Sequence, residues 1–215
     1  MSLDEKFYRK NYIDGTPRPL LRGVPFSIMT LFLCIYLVFN FYKLTYSKLL
    51  IFTLIFINYI FSSCYHLGIS DKYEKIIHQW DHISIHFHIF ASIVNLASYD
   101  VFSAIIFYIA LENFRLDMEN LLNNGYYYIN SEHHLIYYRN AYLIAIFNYF
   151  LYLINNSVNL NCKIIMGFSY CVYLLGSLIY HNYRYYKKIN KVWSFHETYH
   201  LCIIIGTIGN LLILN

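Results

Sequence analysis

The sequence predicts an all-α polytopic membrane protein, a bundle of seven transmembrane helices. Three observations point there. Only 13% of the 215 residues are charged and 58% are hydrophobic, whereas an average soluble chain carries about 25% charged residues. The uncharged residues gather into stretches approaching the roughly 20 residues needed to cross the hydrocarbon. Once those stretches are threaded through a membrane, Lys and Arg fall almost entirely on one side.

Span one runs from about Val24 to Tyr42 and span two from about Leu49 to Leu67. Span three covers about His82 to Ser98. Span four, about Tyr99 to Phe114, is short and interrupted by Asp100. Span five covers about Asn140 to Asn156, span six about Ile164 to His181, and span seven about Phe195 to Leu214. If spans three and four combine as a helix and a re-entrant piece, the count falls to six. Residues 1–23 form a polar N-terminal segment, and residues 24–215 form one membrane domain. The N-terminal segment has no apolar core before a small-residue site, so it does not read as a cleaved signal peptide.

The cations set the orientation. Lys6, Arg9, Lys10, Arg18 and Arg22 precede span one, and Lys72 and Lys75 follow span two. Arg115 and Arg139 follow span four; Arg184, Lys187, Lys188 and Lys191 follow span six. With seven spans these share one side, and only Lys43, Lys48 and Lys163 fall opposite. The N-terminus is therefore expected in the cytoplasm and the C-terminus in the lumen or outside. The net charge of +4 is modest and no basic cluster suits a nucleic acid, so the expected partners are membrane lipids. Cys34, Cys64, Cys162, Cys171 and Cys202 are odd in number and form no CxxC, which gives neither a disulfide framework nor a thiolate zinc site.

Polar residues recur inside the spans. Asn58, Ser62 and His66 are spaced by four on span two. Asp81, His88, Ser92 and Asn95 line span three; His196, His200, Thr207 and Asn210 line span seven. Such stripes are costly against lipid and should face the bundle interior. The seven-span threading brings His66, Asp81 with His82, and His196 with His200 to one membrane depth on the cytoplasmic side. His196 and His200 lie one turn apart on a helix face, and with Glu197 between them they spell HExxH, a zinc-hydrolase signature. Three His ligands and one water make an open catalytic zinc site. His66, His196 and His200 are the candidate ligands for Zn2+. Such a metal lowers the pKa of its water to about 7. Asp81 would take that water's proton or orient the attack, and Ser62 would donate to an oxyanion or fix the water. Glu197 would be the general base in a soluble zincin, or here a residue of the cytoplasmic rim. Asp81 could instead cap a helix start. His78, His82 and His86, also spaced by four, together with His88, could form a second metal or haem site or simply a polar face.

Ser62-Ser63-Cys64-Tyr65-His66 resembles the SxxxH motif of the hemolysin III, progestin/adiponectin receptor and alkaline ceramidase superfamily. Trp80-Asp81-His82 resembles its third-helix Asp, and His196-Glu197-Thr198-Tyr199-His200 its last-helix HxxxH, which in hemolysin III members often reads HExxH. The likeness extends over nearly the whole chain. It implies a seven-helix bundle with its N-terminus inside, zinc on the three His, and Ser62 and Asp81 around the metal's water.

Four functions compete at this point. One is a zinc-dependent membrane hydrolase of a lipid amide or ester. Another is a receptor or channel-like protein with structural zinc. An intramembrane metalloprotease needs a third ligand, commonly downstream, yet residues 201–215 contain no His, Asp or Glu. A di-iron lipid hydroxylase needs HxxHH strings, and none occurs. The first two remain, and a catalytic set with a free zinc position favours the hydrolase.

Overall fold

The computed structural model describes residues 21–70, 72–96, 159–183 and 193–214, with Pro19 and scattered residues between 108 and 122. The described elements are helical, and no strand occurs among them. They are α1 (Val24–Asn40), continued by a 3-10 turn (Phe41–Lys43), α2 (Tyr46–Leu67), α3 (Glu74–Leu96), α4 (Leu160–Tyr183) and α5 (Phe195–Leu214). Val24–Lys43, Tyr46–Leu67 and Leu160–Tyr180 are long and apolar enough to cross a membrane. By length and composition they make the chain an integral membrane protein. Span five, nearly all of span four, residues 123–139 and the first eighteen residues lie outside the described residues.

Each helix end has a local cause. Pro25 sits in the first turn of α1, where a missing N–H costs nothing. Thr45 caps α2 by accepting a hydrogen bond from the Lys48 amide at 3.4 Å. At the other end of α2, Gly68 adopts a left-handed conformation, φ 62°. Its N–H bonds to Tyr65 O at 3.0 Å and the Ile69 N–H to Cys64 O at 3.2 Å, a Schellman stop that closes the helix just beyond His66. Span seven coincides with α5, whereas α3 starts two turns before the expected span three. The polar run Glu74–Asp81 reads as a connection on hydropathy, but backbone hydrogen bonds do not require apolar side chains. Asp81 therefore lies inside α3 and cannot cap its start.

The apolar faces sort as a membrane demands. On α1, Phe26, Met29 and Leu33 point inward, while Ile28, Leu31, Phe32, Ile35, Val38 and Phe39 form an exposed stripe. The inward residues join Ile51, Phe52, Ile55 and Tyr59 of α2, Ala91 of α3 and Ile204 of α5 in one core. Helix α5 packs extensively on α4, and the glycines permit it. A Cβ at Gly206 would lie 2.6 Å from the Tyr173 ring, and one at Gly176 would lie 2.8 Å from Cys202 Cβ. Helix α1 packs on α2 and α5, and α2 packs on α3. The start of α1, the end of α2, the end of α4 and the start of α5 meet at one end of the bundle. There Gly23 abuts His66, and Tyr180 lies 5.6 Å from His196, ring to ring.

Candidate metal centre

His66 arrives from the last turn of α2, and His196 and His200 from successive turns of α5. Each offers one nitrogen such that all three lie within 4.8 Å of one another, a cluster that could hold a metal ion. It is the one such group found among the described residues. The ring centroids are 4.6 Å apart for His66 and His200, 4.3 Å for His196 and His200, and 5.2 Å for His66 and His196. His66 and His200 are buried. The donor set fits a metal on chemistry as well as on distance. His200 Nδ1 is buried with no hydrogen-bond partner, and an orphaned imidazole nitrogen in a dry interior is costly unless something takes its lone pair. The Phe26 ring meets His200 edge-on at 4.3 Å and covers the cluster from the α1 side.

Asp81 and Ser62 stand beside it. Ser62 Oγ, one turn before His66, donates a short hydrogen bond to Asp81 Oδ1. Asp81 Oδ2 lies 3.7 Å from His66 Nε2, an ion-pair separation rather than a hydrogen bond. Both side chains are buried. Ser62 was expected to serve an oxyanion or a water; in this arrangement its hydroxyl hydrogen is committed to the carboxylate.

Glu197 takes neither of its expected positions. It is not at the rim, being fully buried. Nor is it a general base awaiting a proton, because its carboxylate is already engaged. Glu197 Oε2 accepts the Ser194 N–H at 2.6 Å and a short bond from Ser194 Oγ. The His196 N–H bonds Ser194 Oγ at 3.2 Å. This is close to a capping box, Ser-x-x-Glu, that starts α5 and so fixes where its two histidines point. Glu197 Oε1 accepts from Arg22 Nη1 at 2.9 Å. Arg22 Nε also reaches His66 Nδ1 at 3.4 Å. One guanidinium thus ties the chain ahead of α1 to both histidine-bearing helices. Gly23 makes the approach possible: its φ is +83°, and a Cβ would fall 2.8 Å from Leu67 N and 2.9 Å from the His66 carbonyl carbon. Sequence reasoning counted Arg22 only as a topology charge and missed Ser194. Ser-x-x-Glu ahead of an apolar run was the available signal.

Two turns deeper, the remaining stripe residues bond to one another. Asn58 Nδ2 donates to Ser84 Oγ at 3.1 Å, and Asn58 Oδ1 faces His88 Nδ1 at 3.0 Å. The amide orientation thereby puts the proton of a neutral His88 on Nδ1, which leaves Nε2 as an acceptor for Tyr173 OH at 3.3 Å. Tyr59 OH donates to Thr207 Oγ1 at 2.9 Å, Thr207 donates to Ile203 O at 2.8 Å, and Asn210 Nδ2 donates to Tyr173 OH at 3.3 Å. Asn58, His88, Thr207 and Asn210 are buried, as the stripes required. The side chains of Ser92 and Asn95 lie outside the described residues. Of the four extra histidines in α3, the structure brings His78 and His82 together and turns His88 into this deeper network.

Comparison of the chain with family models, with curated proteins and with solved structures returned no match in any of the three.

Proposed function

We propose that this protein is a zinc-dependent integral membrane hydrolase that cleaves a lipid amide or ester, of the hemolysin III, progestin/adiponectin receptor and alkaline ceramidase type. One observation carries the reading: a three-imidazole cluster with an orphaned His200 Nδ1 lies beside a buried carboxylate that another side chain holds in place. His66, His196 and His200 would hold Zn2+, which when bound supplies a Lewis acid and acidifies water to a pKa of about 7. Asp81 would take up the proton at Oδ2, the oxygen nearer the cluster, and return it to the leaving group. Ser62 is a positioning residue that keeps Asp81 Oδ1 occupied and Oδ2 aimed at the histidines. Arg22 and Glu197 anchor the first turn of α5 and act through the ligands rather than on a substrate. The cation distribution supports an N-terminus in the cytoplasm and a C-terminus outside or in a lumen, so the lipid would enter from the cytoplasmic leaflet.

The competing reading is a receptor or channel-like protein with structural zinc. It draws on Phe26, whose ring packs directly on His200 and covers one approach to the cluster. A lipid-hydrolysis screen separates the two. Purified protein is offered ceramides, glycerolipids and glycosylphosphatidylinositol-type lipids, with and without a chelator. The hydrolase reading expects chelator-sensitive fatty-acid release from at least one class. Release from none, by a zinc-loaded protein, favours the structural reading.

A further inference from the structure

We propose that His78 and His82 form a second, weaker site for a divalent transition-metal ion beside the three-histidine cluster. The two residues are one turn apart on α3, and their Nε2 atoms lie 3.0 Å from each other. Two imidazoles bound to one ion at about 2.0–2.1 Å place their nitrogens about 2.9 Å apart at a right angle, and about 3.3 Å apart in a tetrahedron. The observed separation falls between these, so an ion could be gripped with little movement of the backbone. The rings stand at 75° to one another with centroids 4.7 Å apart, so they meet edge-on through these nitrogens instead of stacking.

The pair is also braced. Tyr65 stacks on His78 at 4.4 Å and 22°, and the same tyrosine ring lies 4.9 Å from that of His66. The second site is thus built against the same helix end that carries a ligand of the first. Both rings are half-buried, so water or a ligand headgroup can complete the coordination sphere. Two nitrogen donors select zinc, cobalt, nickel or copper over the oxygen-seeking magnesium and calcium. Two protein ligands also bind less tightly than three. His78 and His82 lie within electrostatic range of His66, and His82 within range of His196, so an ion held there adds positive charge to the first centre's surroundings.

The site does not depend on the hydrolase reading and is tested separately. Full-length protein in detergent is stripped with a chelator and titrated with Co2+ and then Zn2+, following the cobalt absorption spectrum and bound metal. Wild type should show two classes of site. His78→Ala and His82→Ala should each abolish the weak class and keep the tight one, which also shows that the variants are folded. His200→Ala should do the reverse. Saturation of wild type at a single ion, or a His78→Ala protein that retains both classes, would overturn the proposal. So would loss of both classes in His78→Ala and His78→Gln alike, because the pair would then be a structural hydrogen bond.

Discussion

The three-histidine cluster and the His88 network contain the same kinds of residue, and α2, α3 and α5 each contribute to both neighbourhoods about two turns apart. In the network, the partners are complementary. Asn58 supplies an acceptor for one nitrogen of His88 and Tyr173 a donor for the other, while Thr207 takes the Tyr59 hydroxyl. In the cluster, imidazoles face imidazoles, and His200 Nδ1 is left without a bond. Buried polar groups that satisfy one another hold helices together. Buried lone pairs aimed at a common point call for a cation. Burial does not separate the two neighbourhoods; what separates them is that three imidazole nitrogens gather together in the cluster, whereas His88 in the network faces an amide and a hydroxyl.

Substitutions in each neighbourhood sharpen that contrast. Asp81→Asn should keep the metal but lower lipid hydrolysis by about 10²–10⁴-fold, the usual loss when a general base is removed. Ser62→Ala, which leaves Asp81 present but untethered, should cost clearly less. Metal content measured beside the hydrolysis rate separates the chemical loss from a folding loss. Arg22→Gln leaves Glu197 buried without its cation and should destabilise the protein by about 3–5 kcal/mol. Adding Glu197→Gln to that variant should recover part of the loss in a thermal-unfolding assay, since no uncompensated charge then remains. His88→Ala should cost about 1–3 kcal/mol through the stranded Asn58 and Tyr173 groups, with metal content unchanged. Gly206→Ala, whose new Cβ would press on the Tyr173 ring, should cost a similar amount, about 1–3 kcal/mol, and again leave the metal unaffected.

Much of this contrast was legible in the sequence, for identifiable reasons. A four-residue spacing on an apolar helix marks one face, so the inward stripe of Asn58, Ser62 and His66 is legible in the sequence. The limits of α5 followed from hydropathy because its apolar run begins right after the histidines. The first two turns of α3 were missed because Glu74, His78, Gln79 and Asp81 depress hydropathy without opposing a helix. Arg22 was misjudged for a different reason. A cation ahead of a first span ordinarily serves as a topology charge, and its contacts with Glu197 and His66, 175 and 44 residues away, are set by how helices pack. HExxH also pulled attention to Glu197 as a base, although Ser194 three residues earlier marked it as a capping partner.

The most direct test of the central claim is metal content per chain in wild type, His200→Ala and His88→Ala, purified alike and measured by elemental analysis. Both variants remove a buried histidine, one from each neighbourhood. After desalting that empties the weaker site, about one tightly held zinc per chain is expected in wild type and in His88→Ala, and none in His200→Ala. Equal zinc in all three proteins, or zinc lost from His88→Ala and kept by His200→Ala, would contradict the assignment of the cluster as the metal centre.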